Sequence, residues 1–240
     1  MASNTKKGTL FLIPASLGES NLNTVWPSAH KDIINTLDVF IVENIRTARR
    51  FLKQAGYAFS FDAVVFHLLN KHTSKEESAL FLDAAMEGEP IGLLSEAGCP
   101  GVADPGQLIV AEAHRRGILV KPLVGANSVV LALMASGMNG QSFVFHGYLP
   151  IEKKMRMQKI KELEIGSRQT GATQIFMETP FRNNQLTEDL LQNCNIYTKL
   201  CIAADITAPG EYIQSHCIIE WRKKTIPDLH KRPAIFLLLA

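Results

Sequence analysis

The chain has 240 residues, 46% of them hydrophobic, with 25 Lys and Arg against 23 Asp and Glu for a formal net charge of +2. That length and apolar content mark an ordinary globular protein of one large or two small domains. The near-neutral balance excludes holding a polyanion by bulk charge, so any nucleic acid must be met by a local patch. Four cysteines, Cys99, Cys194, Cys201 and Cys217, include no CxxC pair and sit mostly in apolar runs. They favour reduced, buried thiols over a disulfide framework or a zinc site, and with them a cytoplasmic location. The apolar stretch in MASNTKKGTLFLIPA is too short and too quickly broken for a signal peptide, and no later run is long enough to span a bilayer. Neither export nor a membrane is expected.

In chain order, short apolar runs at Thr9 to Ile13, Val39 to Val42, Ala63 to His67, Ile91 to Leu94 and Ile118 to Val124 read as strands of a parallel sheet. They are nearly continuous in apolar residues rather than alternating, as burial on both faces requires. Helices are predicted between them over Ile45 to Ala55, Lys75 to Glu87 and Gly106 to Arg116, with another over Asn127 to Ala135. A second series of strands is predicted at Phe143 to His146, Thr173 to Met177, Leu200 to Ala204, His216 to Trp221 and Ala234 to Leu239. Between the first two of these lies IEKKMRMQKIKELEI, a basic amphipathic helix over Ile151 to Ile165. Its Lys153, Lys154, Arg156, Lys159 and Lys161 form either a phosphate-contacting face or a plain solvated one. The predicted architecture is two α/β domains of about five strands each, split at residues 1–125 and 126–240. Ligands in such sheets lie beyond the carboxyl ends of the strands.

Those ends are where the sequence becomes unusual. Leu93 to Gly106, LLSEAGCPGVADPG, stops an apolar run abruptly in glycines, prolines and carboxylates. It is either a loop shaped for a ligand to lie against main chain or a complicated turn. Other strands run out in similar loops: Pro14 to Gly18, Glu43 to Arg46, Pro122 to Ser128 and Glu178 to Arg182. There is no GxGxxG after the first strand and no GxxxxGK[ST], which argues against a dinucleotide fold or a phosphate-cradling Walker loop. The seven histidines lack ligand spacing, no metal is expected, and each histidine reads as a surface or capped residue. Ser95 and Ser128 lie outside any GxSxG, so a hydrolase triad is poorly supported.

Taken together, these loops resemble the tetrapyrrole methylase superfamily, and within it the ribosomal RNA small subunit methyltransferase I branch. The opening V-A-T-P-I-G-N-L type loop corresponds to LIPASLGESNL, E-D-T-R to Glu43 through Arg46, and S-D-A-G-T-P-x-x-S-D-P-G to Ser95 through Gly106. P-G-P-S-A corresponds to Val124 through Ser128, F-x-G-F-L-P to Phe145 through Pro150, and E-S-P-H-R to Glu178 through Arg182. The resemblance spans nearly the whole chain. It implies two α/β domains with S-adenosylmethionine in the cleft between them, a homodimer, and methyl transfer to a ribose 2′-hydroxyl of small-subunit ribosomal RNA.

Carried over residue by residue, the resemblance puts the cofactor against Pro14, Ser95, Glu96, Ala97, Gly98, Cys99, Pro100, Asp104 and Gly125. Met177 and Ala204 would be apolar partners of the adenine, the other reading of Met177 being simple core. Glu43, Asp104 or Glu178 would accept the hydroxyl proton, and Arg46 or Arg182 would hold a phosphate or orient the hydroxyl. The other reading of each charged group is a loop-bracing partner. The chain departs from the branch at Asn44 and Ile45, where Asp and Thr are usual, and at Ala204 and Ala208, where basic residues are usual. Those departures leave two alternatives standing: a tetrapyrrole or other small-molecule acceptor, and a catalytically silent cofactor-binding paralogue.

Overall fold

The computed structural model describes residues 6–70 and 72–240, and Met1 to Thr5 of the amino-terminal stretch lie outside them. The chain divides into two compact units, the first ending at Asn127 and the second beginning at Ser128.

The first unit runs β1 (Thr9–Ile13), α1 (Leu22–Val25), α2 (His30–Ile34), β2 (Val39–Val42), α3 (Ile45–Gln54), β3 (Val65–Leu68), α4 (Lys75–Leu80), α5 (Asp83–Met86), β4 (Ile91–Leu94), α6 (Gln107–Arg115) and β5 (Leu119–Pro122). Its sheet has the order β3-β2-β4-β1-β5 with every pairing parallel. Apart from Thr9, the three inner strands are apolar because both faces are covered. Ile13, Phe40, Val42 and Leu94 pack into one cluster, and Leu10, Ile41, Ile91 and Leu93 into another. Gly92 lies in the middle strand, where a Cβ would stand 2.8 Å from both Phe40 and Ile13 side-chain carbons, so the larger neighbours fill its place.

The predicted helix over Lys75 to Glu87 is broken. The chain tightens at Phe81 and Leu82, with the Leu82 N–H bonded to the Ala79 carbonyl, and both side chains thereby reach the core.

The second unit runs α7 (Ser128–Ser136), β6 (Phe143–Tyr148), α8 (Lys153–Thr170), β7 (Thr173–Met177), α9 (Asn183–Asn193), β8 (Lys199–Ala204), β9 (Tyr212–Cys217), α10 (Ile218–Trp221) and β10 (Ala234–Leu239). The sheet order is β6-β7-β10-β8-β9; β6 and β7 are parallel and the other pairings antiparallel. The strand predicted over His216 to Trp221 is corrected: it ends at Cys217 and gives way to a helical turn. Glu220 accepts the Cys217 N–H at 2.9 Å, and the turn swings Trp221 into the core, where its indole donates to the Leu200 carbonyl at 2.8 Å.

For Arg156 both readings of the basic face, phosphate-contacting and solvated, are corrected. Arg156 is 1% exposed, and its guanidinium meets Asp189 of α9 at 2.7 Å and the Ile151 carbonyl at 2.6 Å. It is the internal lock of α8 rather than part of its basic face. Lys153, Lys154 and Lys161 remain on the exposed side, and Lys159 is half-buried beside Glu162 at 3.7 Å.

Among the described residues no helix is long and apolar enough to cross a membrane. All four cysteines are free thiols. Cys194 and Cys201 are buried, which pushes each thiol up to about 12, while Cys99 and Cys217 are only half-buried.

Candidate active site

Four loops at the carboxyl ends of β1, β2, β4 and β5 are stitched together. Ala15 and Gly98 exchange backbone hydrogen bonds, the Ala15 N–H donating to Gly98 at 2.9 Å and the Gly98 N–H to Ala15 at 3.2 Å. Gly98 sits at φ +74°, and a Cβ there would stand 3.2 Å from the Leu17 side chain. The position therefore favours glycine both for its backbone and for its neighbour. Ser95, buried beneath the loop, donates from Oγ to the Gly98 carbonyl at 2.9 Å. The Cys99 Sγ contacts the Ala126 carbonyl at 3.5 Å and ties in the β5 loop. Pro14 is buried against Gly125, whose absent Cβ would lie 2.2 Å from Pro14 Cγ.

The β2 loop joins through carboxylates. Glu43 accepts the Glu96 N–H at 3.2 Å, and Thr47 donates from its hydroxyl to the Glu96 carboxylate at 3.2 Å. Burial raises the Glu43 carboxyl above its ordinary value; the hydrogen bond from Glu96 opposes this, and the charges of Asp104 and Glu96 add to it. Asn44 caps α3, accepting from the Arg46 N–H at 2.9 Å and the Thr47 N–H at 3.3 Å. The departure from Asp to Asn at this position thus keeps the cap, which either side chain makes equally well, and drops only the charge. Ile45 packs against the core, and Arg46 lies exposed on the first turn of the helix.

Asp104 is half-buried with Oδ1 accepting the N–H groups of Gly101 at 2.6 Å and Gly106 at 2.8 Å. Burial raises its carboxyl and those two hydrogen bonds oppose the rise. The side chain braces the glycine-rich turn from inside.

Sequence reasoning missed two supports of the same loops. Trp26 donates from its indole to the Pro14 carbonyl at 3.1 Å, and the His30 ring nitrogen lies 2.7 Å from the Val124 carbonyl. The two rings pack edge to face at 5.2 Å. His30 is buried, not a surface residue. The segment TVWPSAH, which carries Trp26 and His30 through the turn between α1 and α2, gives no sign of either partner.

The loops after β1, β2 and β4 border a cavity of about 680 Å³ lined by residues including Ala15, Ser16, Gly18, Glu43, Ser95, Glu96 and Ala97. A second, of about 710 Å³, is lined by Glu43, Asn70, Glu96, Gly101 and Asp104 among others. Both are of the size that holds a small molecule. Among the described residues no cluster of His, Cys, Asp and Glu has the arrangement of a metal site.

In the second unit, Glu178 at the end of β7 is buried and takes the Arg182 guanidinium at 2.6 Å and the Thr179 N–H at 2.6 Å. Met177 is half-buried, whereas Ala204 is fully buried in the core cluster of that unit. Asp205 is paired with Arg232 at 2.5 Å.

Two five-stranded sheets, the first wholly parallel and the second mixed, with looped carboxyl ends on the first, are the architecture of the tetrapyrrole methylase fold. Solved structures of that fold superpose on the chain. The methyltransferase CobJ does so with a TM-score of 0.61 at 15% identity, covering 97% of this chain and 94% of that one. Uroporphyrin-III C-methyltransferase from Thermus thermophilus, complexed with S-adenosylhomocysteine, gives 0.55 at 16% identity over 97% of each chain. No protein-family model matches. Two curated relatives carry the name ribosomal RNA small subunit methyltransferase I. The Halalkalibacterium halodurans protein is 37% identical over 77% of this chain and 60% of its own length, and the Vibrio cholerae protein 31% identical over 96% of this chain and 76% of its own. The chain belongs to the ribosomal RNA small subunit methyltransferase I family.

Proposed function

We propose that this chain transfers the methyl group of S-adenosylmethionine to a ribose 2′-hydroxyl of small-subunit ribosomal RNA. The observation that carries the proposal is the Ala15–Gly98 backbone pair, which joins two strand-end loops over a cavity of ligand size in a chain of this family. The residues present fit the cofactor. The glycines at 98 and 125 let Leu17 and Pro14 pack against the loops, and the Glu43 and Glu96 carboxylates that line the cavity suit a cationic sulfonium. Pro14, Ser95 through Pro100, Asp104 and Gly125 form the proposed cofactor contacts, with Met177 as an apolar partner. Ala204 is 0% exposed and offers a cofactor neither side-chain nor backbone surface.

When bound, the cofactor supplies an already activated methyl group, and the chain's own work is to align the acceptor, exclude water and take one proton. Glu43 is suited to the last task, since a raised carboxyl is a better base near neutrality than an ordinary one. Arg46, exposed beside it, is placed to hold a phosphate. Asp104 braces its loop through Oδ1, and Glu178 and Arg182 brace theirs by pairing with each other, Glu178 Oε2 and Arg182 Nε being left buried without a hydrogen-bond partner. The two units are the two domains of the working protein, which we propose acts in the cytoplasm as a homodimer.

The test is transfer of tritiated methyl to small ribosomal subunits from cells lacking the protein. Label in RNA supports the proposal. Label in a tetrapyrrole instead would reassign the acceptor, and cofactor binding without any transfer would identify a silent scaffold.

A further inference from the structure

We infer that Phe181 and His230 form a stacking platform for an unpaired RNA base, an inference that rests on the RNA reading above. Phe181 is 67% exposed, at the turn between β7 and α9, where an apolar ring gains nothing from the core. His230, also exposed, packs against it in a T-shaped arrangement with ring centroids 5.7 Å apart, and Phe181 keeps two thirds of its surface open to solvent.

The platform is held rigidly from beneath. The Lys231 N–H donates to the Pro180 carbonyl at 2.9 Å and the Arg182 N–H to Thr179 at 2.9 Å. Asn183 donates to the Arg232 carbonyl at 2.6 Å, and Asn184 both accepts the Leu229 N–H at 2.8 Å and donates to Asp228 at 2.6 Å. Leu229 is fully buried, anchoring the loop that carries His230. Lys231, at φ +62°, is exposed beside the rings, and Arg182 is partly exposed while gripped by Glu178. Asp228, the nearby acid, is engaged by Asn184 and by the His230 N–H at 2.9 Å.

A preorganised aromatic face beside an exposed cation is what a splayed nucleotide needs: the ring takes the base and Lys231 takes the phosphate. An apolar peptide would gain from the ring but not from Lys231, so charge complementarity favours the nucleotide. No existing hydrogen bond involves the Phe181 side chain, so its replacement leaves the fold intact.

The experiment measures binding of a labelled single-stranded oligoribonucleotide by fluorescence anisotropy at several salt concentrations. Phe181→Ala should weaken binding about tenfold with the salt slope unchanged, and Phe181→Trp should retain native affinity with its added indole emission quenched by the RNA. Lys231→Ala should instead reduce the salt slope. Native affinity in Phe181→Ala, or no binding by the native protein, overturns the platform. Methyl transfer to small subunits by the native protein is read separately: label there with an unaffected Phe181→Ala removes only the stacking, and absence of label removes the methyltransferase reading itself.

Discussion

Ala15 and Gly98 pair as two residues of a miniature antiparallel ladder, although the strands that lead into them, β1 and β4, run parallel. The loops therefore reverse direction against each other just beyond the sheet, and the turn at Gly98 depends on its φ of +74°. Gly98→Val places a β-branched side chain in a left-handed conformation with Leu17 already at contact distance. Cofactor affinity measured by calorimetry should fall at least tenfold, with the far-UV circular dichroism of the fold retained. Native affinity would separate the Ala15–Gly98 pair from the cofactor.

Asn44 tests whether the departure from Asp matters for structure or for charge. Asn44→Ala should lose about 1 kcal/mol of stability in urea denaturation through loss of the α3 cap. Asn44→Asp should stay within a few tenths of the native value, because the carboxylate accepts the same two N–H groups. Equal losses in both would show that the cap is not what Asn44 contributes.

Arg156 and Asp189 are both nearly solvent-free and joined at 2.7 Å. Arg156→Met leaves the buried Asp189 carboxylate with only the distant Lys153 ammonium at 4.0 Å and should cost about 3–5 kcal/mol in urea denaturation, while the double change Arg156→Met with Asp189→Leu should recover much of that loss. RNA binding by stable variants should keep its salt slope. A reduced slope in Arg156→Met would return this residue to the phosphate-contacting face.

Glu43 predicts a direction for pH dependence. Its carboxyl is raised in the folded state, so the folded protein binds the proton more tightly than the unfolded chain. That contribution is fully present below the ordinary carboxylate value of 4.5 and is lost as pH rises through the raised value. Glu43→Gln keeps an oxygen for the Glu96 N–H and removes the titration. In thermal melts, the variant should gain on the native protein as pH climbs from 4.5 and then hold a constant lead. Parallel curves over the whole range would contradict the assigned shift.

The parallel sheet was legible because burial on both faces leaves a plain mark: Ile91 to Leu94 is buried at every position, and no alternating strand reads that way. The same logic failed at Ile218, where a run of apolar residues turned helical to carry Trp221 inward, since short apolar runs do not declare their period. Arg156 misled for a related reason. Its charge placed it with its basic neighbours, while its partner Asp189 lies 33 residues away on another helix.

At the site, the convergence of loops could be read from glycine, proline and carboxylates at successive strand ends. What ties them together could not, because Glu43 reaches a residue 53 positions away and His30 one 94 away. Long-range hydrogen bonds of this kind leave no local pattern in sequence.

The central claim is methyl transfer to a ribose hydroxyl, and alkaline hydrolysis tests it directly. Cleavage of RNA by alkali uses the 2′-hydroxyl as nucleophile, so a methyl group there protects the adjacent linkage. Small ribosomal subunits from cells lacking the protein would be incubated with it and tritiated S-adenosylmethionine, and the purified RNA hydrolysed. The account predicts tritium in an alkali-resistant dinucleotide, absent when Gly98→Val replaces the native protein. Tritium confined to mononucleotides, or none in the RNA at saturating cofactor, would contradict it.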